Sequence, residues 1–206
     1  MMIQMAESGW LPDGLVRYGI RRLLARRLQQ EQRQQEGNTR VLRAAPVAVE
    51  QDAANEQHYE VDARFYQQVL GPHLKYSSGF WPEDCTDLAD AEAAMLALTC
   101  ERAQLGSGQQ ILELGCGWGS LSLWMAEQYP KARIVAVSNS HGQRGHIEAQ
   151  ARERGLGNLT VITCDMNDFE APADLAGRVD RIVSVEMFEH MANWRALLTR
   201  ARGWLK

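Results

Sequence analysis

Ile111-Leu112-Glu113-Leu114-Gly115-Cys116-Gly117-Trp118-Gly119 joins a short apolar run to three glycines set two residues apart. The run reads as a buried strand, and the residues after Gly119 read as a helix. A chain that bends sharply between the two needs residues without side chains, and the same glycines let a ligand come close to the backbone. Free amide groups at the following helix start favour ligand oxygens or a carboxylate. A glycine turn with a strand before it and a helix after it is therefore a candidate binding loop.

Outward from this turn the pattern repeats. Apolar runs at Ile111–Leu114, Arg133–Val137, Leu159–Thr163 and Arg181–Val185 alternate with helical stretches at 119–128, 141–154 and 192–205. Short β-rich runs alternating with helices predict an α/β fold, a Rossmann-like doubly wound parallel sheet covered on both faces. Before the turn, residues 87–105 carry helical periodicity, closed by Gly106-Ser107-Gly108. Residues 73–82, dense in aromatics and hydroxyls and ending in Pro82, read as a functional loop. Residues 60–70 have an apolar and aromatic pattern that stops at Gly71-Pro72.

The N-terminal part differs in charge. Residues 12–43 hold eight arginines against three acids, +5, within a chain whose 22 basic and 26 acidic residues sum to −4. Leu15, Val16, Ile20, Leu23, Leu24 and Leu28 recur near helical spacing between the arginines, which predicts a basic amphipathic helix. Such a helix fits an anionic membrane surface; packing on the main domain or on a partner subunit is the favoured reading. Residues 29–57 read as a helix tail broken at Gly37-Asn38, then a polar linker. The expected division is 1–57, helix and linker, and 58–206, the main domain.

Composition narrows the classes. At 206 residues, 45% hydrophobic and 23% charged, the chain can bury a sizeable core. Its acidic balance argues against nucleic-acid binding through bulk charge, and no apolar run approaches the ~20 residues that span a bilayer. Met1–Trp10 lacks the features of a secretory signal. Cys85, Cys100, Cys116 and Cys164 form no CxxC or CxxH pair, so neither a disulfide framework nor a metal site is expected. A soluble cytoplasmic protein with reduced thiols is the expectation.

Two features decide what the glycine loop holds. A dinucleotide site prefers GxGxxG and an acid after the second strand; here the loop is GxGxG, and the second strand ends in Val137-Ser138-Asn139-Ser140. Glu113 before the glycines and Asp165 after the third strand instead fit a ligand with a cationic amino-acid group and an adenine.

GluLeuGlyCysGlyTrpGly at 113–119 resembles the S-adenosylmethionine (SAM) loop of class I methyltransferases. With HisTyrGlu at 58–60, LysTyrSerSerGlyPheTrp at 75–81, SerAsnSer at 138–140 with Gln143, and SerValGluMetPheGluHisMet at 184–191, the chain resembles the family of cyclopropane fatty acid synthases and coclaurine-type N-methyltransferases. The resemblance spans roughly residues 12 to 206. It implies SAM as methyl donor. Gly115, Gly117 and Gly119 would admit its methionine part, Glu113 would serve its charged end, and Tyr76 and Ser77 would join the cofactor set. Ser138, Asn139 and Gln143 would stand where other methyltransferases place an acid on the ribose. Asp165 would bond the adenine amino group, with a turn or helix cap as its alternative role.

Glu186, Glu189 and His190 are the expected catalytic residues, at the strand edge where open parallel sheets bind ligands. Methyl transfer from a sulfonium is an in-line displacement, so the protein mainly positions; an amine must also lose a proton, which a carboxylate or imidazole can take. The synthases resembled here carry a cysteine where Ser78 stands and usually a glycine where Glu186 stands, whereas the N-methyltransferases have glutamate there. A small amine acceptor is therefore expected over a lipid. The alternatives are lipid cyclopropanation and a non-catalytic truncated remnant that at most binds SAM. A homo-oligomer is left open.

The resemblance also implies a seven-stranded sheet of order 3-2-1-4-5-7-6, of which four strands can be assigned. The expectation is a methyltransferase fold incomplete at its C-terminus, with strand four as an exposed edge.

Overall fold

The computed structural model describes residues 8–49 and 63–206. The chain forms two compact units, 1–44 and 45–206.

The first unit is built on α1, Asp13–Ala44. Pro12 starts it, its carbonyl accepting the N–H groups of Leu15 and Val16, and Arg27 pairs with Glu31 one turn on at 2.7 Å. The break expected at Gly37-Asn38 is absent: the helix runs through to Ala44. One interior glycine costs a helix only about 1 kcal/mol, and the surrounding Gln, Glu, Arg and Leu residues favour it.

In the second unit, α2 (Ala63–Val69) and α3 (Leu88–Arg102) precede the sheet. The sheet then alternates with helices: β1 (Gln110–Leu114), α4 (Ser120–Gln128), β2 (Arg133–Ser138), α5 (His141–Glu153), β3 (Leu159–Thr163), β4 (Arg181–Val183) and α6 (Trp194–Trp204). All pairings are parallel, in the order β3-β2-β1-β4. The order places β1 and β2 centrally, and both are buried along nearly their whole length, as expected of strands covered on two faces.

Strand alternation sorts the core. Leu112, Leu114, Val135 and Val137 point to one face, where Phe169, Leu175, Leu197 and Trp204 meet them. Ile111 and Ile134 point to the other, against Leu96 and Cys100 of α3 and Leu121 and Met125 of α4. Ala136 and Val161 meet Leu123, Ile147 and Ala151 there. Glu113 falls on this second face by the same alternation, and it is buried.

Residues 45–49, grouped by composition with the linker, pack within the second unit. Val47 and Ala48 are buried. Ala48 exchanges two hydrogen bonds with the Asn167 side chain (2.9 and 3.0 Å), and the Val47 carbonyl accepts from Ala192 and Asn193 N–H. Next to β4, the final residues turn back alongside the sheet: Val179 N–H donates to the Trp204 carbonyl and Lys206 N–H to the Val179 carbonyl, both at 3.1 Å. The approach to β4 is thus paired on that side rather than bare. HisTyrGlu at 58–60 lies outside the described residues.

Candidate cofactor and methyl-transfer site

A cavity of about 360 Å³ opens at the C-terminal ends of the strands. Its floor is the turn after β1. Gly115 and Cys116 N–H both donate to the Val137 carbonyl (3.0 and 2.9 Å), tying the turn to β2. The three glycines all have positive φ, which only glycine adopts cheaply, but their roles differ. A β-carbon on Gly115 would lie 2.8 Å from Met187 Cβ, and one on Gly119 would lie 2.5 Å from Ile147 Cγ1. Gly117 faces open space and lines the cavity. Two glycines therefore make room for the protein's own side chains, and one for a ligand. Gly119 does not line the cavity. It begins α4 without a side-chain cap, so the first amides of that helix remain available for ligand oxygens.

Glu113 lies beneath the turn. Ser122 Oγ donates to its carboxylate at 2.5 Å, and burial, opposed by that hydrogen bond, pushes its pKa up to about 7. The same burial raises the Cys116 thiol, so that it stays protonated at neutral pH.

On the β2 side, Ser138 Oγ donates to Gln143 Oε1 at 2.7 Å and accepts from Ser140 N–H at 3.0 Å. Asn139 completes this wall. Gln143 is buried, and its Nε2 has no partner among the described residues. Ser120 Oγ, also on the cavity, is likewise buried and unpartnered. Buried donors without partners are rare, and two in one cavity fit a ligand rich in hydroxyl and carboxylate oxygens, as SAM is.

After β4 the backbone turns sharply at Glu186, whose φ is +53. Left-handed backbone at a β-carbon residue stores strain and concentrates at ligand sites. Met187 then tucks under Gly115, and a short 3₁₀ turn over Phe188–His190 follows. Glu186, Glu189 and His190 all line the cavity. Their side chains are exposed and have no hydrogen-bond partner among the described residues.

The opposite wall is loop 74–77. Tyr76 and Ser77 line the cavity, and Tyr66 packs its ring edge-on to Tyr76 while leaning on Trp118 with ring centroids 5.0 Å apart. The loop is anchored by Glu92 of α3, a buried carboxylate accepting Gly71 N–H (3.2 Å) and His73 N–H (3.0 Å). Lys75 in this loop is buried, and its ammonium donates to Ser77 Oγ. The motif at 75–81 does not by itself show that Lys75 is buried, and for Glu92 the signal in the sequence is a lone acid on the otherwise apolar side of α3.

Asp165 stands apart. Cys164 and Met166 line the cavity, whereas Asp165 does not, and its Oδ1 accepts Asn167 N–H at 2.6 Å. Here it acts in the turn after β3.

Comparisons with known proteins identify the family. The model of the mycolic acid cyclopropane synthetase family matches residues 48–204. The chain belongs to this family. Family members span two chemistries. (S)-Coclaurine N-methyltransferase of Thalictrum flavum subsp. glaucum is 39% identical over 212 residues, covering 99% of this chain and 58% of the relative. Cyclopropane-fatty-acyl-phospholipid synthase of Escherichia coli K12 is 37% identical over 135 residues, 66% of this chain and 32% of the relative. A crystal structure of coclaurine N-methyltransferase bound to N-methylheliamine and SAH superposes with a TM-score of 0.83 at 38% identity, covering 100% of this chain and 60% of that one. This chain thus spans about three fifths of the length of those N-methyltransferases. The family assignment places the chain among class I SAM-dependent methyltransferases, with the parallel α/β sheet of that class, and the related N-methyltransferase structure holds SAH.

Proposed function

We propose that the cavity binds SAM and that the protein transfers its methyl group to the nitrogen of a small amine. The observation that carries this reading is the meeting of Glu186, Glu189 and His190, whose side chains make no hydrogen bond among the described residues, with the glycine turn in one cavity. Bound SAM supplies a methyl carbon on a sulfonium, ready for in-line displacement. The chain's own residues do the rest. Gly117, Ser138, Asn139, Gln143, Tyr76 and Ser77 hold the cofactor, with Gly115 and Gly119 shaping the turn and Glu113 supporting it from below. Asp165 acts on the adenine end through its turn. Glu186 and Glu189 face the acceptor nitrogen and stabilise the positive charge that develops on it. As the nitrogen lone pair forms the new N–C bond and the C–S bond breaks, the amine proton passes to a carboxylate or to His190.

Glutamate at 186 favours an amine over a lipid acceptor, because a carboxylate beside the acceptor suits a nitrogen that becomes cationic. The test is mass spectrometry of a panel of secondary amines incubated with SAM and the protein. A product 14 Da heavier, lost in Glu189→Gln, supports the reading. Methylene addition to unsaturated phospholipid, with every amine inert, would favour the lipid chemistry. SAM binding without any product would leave a cofactor-binding remnant.

A further inference from the structure

Among the described residues that line the cofactor cavity, Lys75 is the one lysine or arginine; the other ionisable lining groups are Glu113, Cys116, Cys164, Tyr76, Glu186, Glu189 and His190. It is only 6% exposed. Lysine is among the residues least often buried, because an ammonium loses its hydration on burial. Burial holds its pKa below the usual lysine value, opposed by the charges of Glu186 and Glu92. Neither carboxylate closes an ion pair with it. Among the described residues no carboxylate lies within 4.0 Å of Lys75, and the two oxygens of Glu92 are taken by Gly71 and His73 N–H. An ammonium has three hydrogens to donate; Ser77 Oγ takes one. Two remain, buried, on the wall of a cavity whose cofactor carries one carboxylate.

We infer that Lys75 is the cavity's partner for the methionine carboxylate of SAM. The Ser77 hydroxyl, fixed by the ammonium, presents its own hydrogen to the same group, so the pair forms a two-point carboxylate clamp. Glu92 carries the clamp by anchoring its loop to α3. Charge-assisted hydrogen bonds of this kind are about twice as strong as neutral ones. The clamp holds the amino-acid end against loop 74–77 and leaves Glu186 and Glu189 to the acceptor. The inference rests on the SAM reading of the cavity but not on the identity of the acceptor.

The test is calorimetric titration of the 206-residue chain with two ligands, SAH and 5′-methylthioadenosine, which keeps the nucleoside and thioether but lacks the amino-acid group. Lys75→Met should weaken SAH by roughly tenfold to a hundredfold, as for loss of a charged hydrogen bond, and leave 5′-methylthioadenosine within about twofold, a change too small to reflect a lost bond. Lys75→Arg should recover part of the SAH affinity. Equal loss of both ligands, or unchanged SAH, would overturn the assignment. So would failure of both Lys75→Met and Lys75→Gln to fold, which would make the lysine a structural residue. Absence of 5′-methylthioadenosine binding by the unaltered chain would count against the SAM reading itself and take the clamp with it.

Discussion

Ser138 Oγ holds Gln143 Oε1 at 2.7 Å, and this single bond turns the Gln143 amide so that its Nε2 is buried without a partner among the described residues. The two residues lie on either side of the β2–α5 junction, where Ser140 also caps α5 by accepting Gln143 N–H. The junction thus presents one oriented donor where the sequence offers no acid for a ribose.

Gln143→Leu is expected to lower SAM affinity by about 1–3 kcal/mol, the cost of losing a buried polar partner, with thermal stability close to that of the parent. Calorimetry alongside thermal unfolding checks it. Unchanged affinity would remove Gln143 from the cofactor site.

The glycines of the turn should separate stability from binding. Gly115→Ala brings its β-carbon to 2.8 Å from Met187 at φ +77 and should destabilise by roughly 2–4 kcal/mol. Gly117→Ala meets open space, so it should cost only about 1–2 kcal/mol of left-handed backbone strain while lowering SAM affinity. Melting temperature and Kd measured on both variants decide. The reverse pattern would mean that the cofactor does not lie over Gly117.

Glu113 makes stability fall as pH rises. Its pKa is about 7 in the folded chain against an ordinary 4.5, so between these values the native state holds a proton that the unfolded state has released. Stability from this group is full below about pH 4.5 and is lost as pH rises towards 7, on the order of 2–3 kcal/mol. Glu113→Gln, which can still accept from Ser122, should match the parent near pH 4.5 and exceed it at pH 8 in urea unfolding. Parallel pH profiles would contradict the raised pKa.

Much of this was legible in the sequence because the signals are local. Apolar runs such as Arg133–Val137, punctuated by glycine turns, mark the strands and their order along the chain, and the turn after β1 marks the cavity floor. What escaped depends on contacts between distant segments. Lys75 and Glu92 look like surface charges until the loop folds onto α3. The left-handed backbone at Glu186 is invisible in the sequence. Val47 and Ala48 belong to a short apolar run, 44–49, at the edge of a polar segment, and their bonds to Asn167 and the 192–193 backbone show why they are buried. Gly37 is a local helix-breaking signal that the helix formers along the whole of Asp13–Ala44 outweigh.

Arg200 shows how α6 supports the site from behind. Its guanidinium donates to the carbonyls of Met166, Asn167 and Phe169 and pairs with Glu170, fixing the turn that carries Asp165. Arg200→Met should destabilise by roughly 2–4 kcal/mol, since three partly buried carbonyls lose their donor together. It should also weaken SAM through the displaced turn, whereas Arg202→Met, on an exposed position of the same helix, should do neither. Urea unfolding and calorimetry on the two variants make the comparison.

The most direct measurement is isothermal titration of SAM into the folded 206-residue chain, with Gln143→Leu as its companion. The account predicts one site of micromolar affinity, weakened at least about fivefold by the substitution. A chain that is folded by circular dichroism yet takes up no SAM, or binds it equally well without Gln143, would contradict the assignment of this cavity to the cofactor.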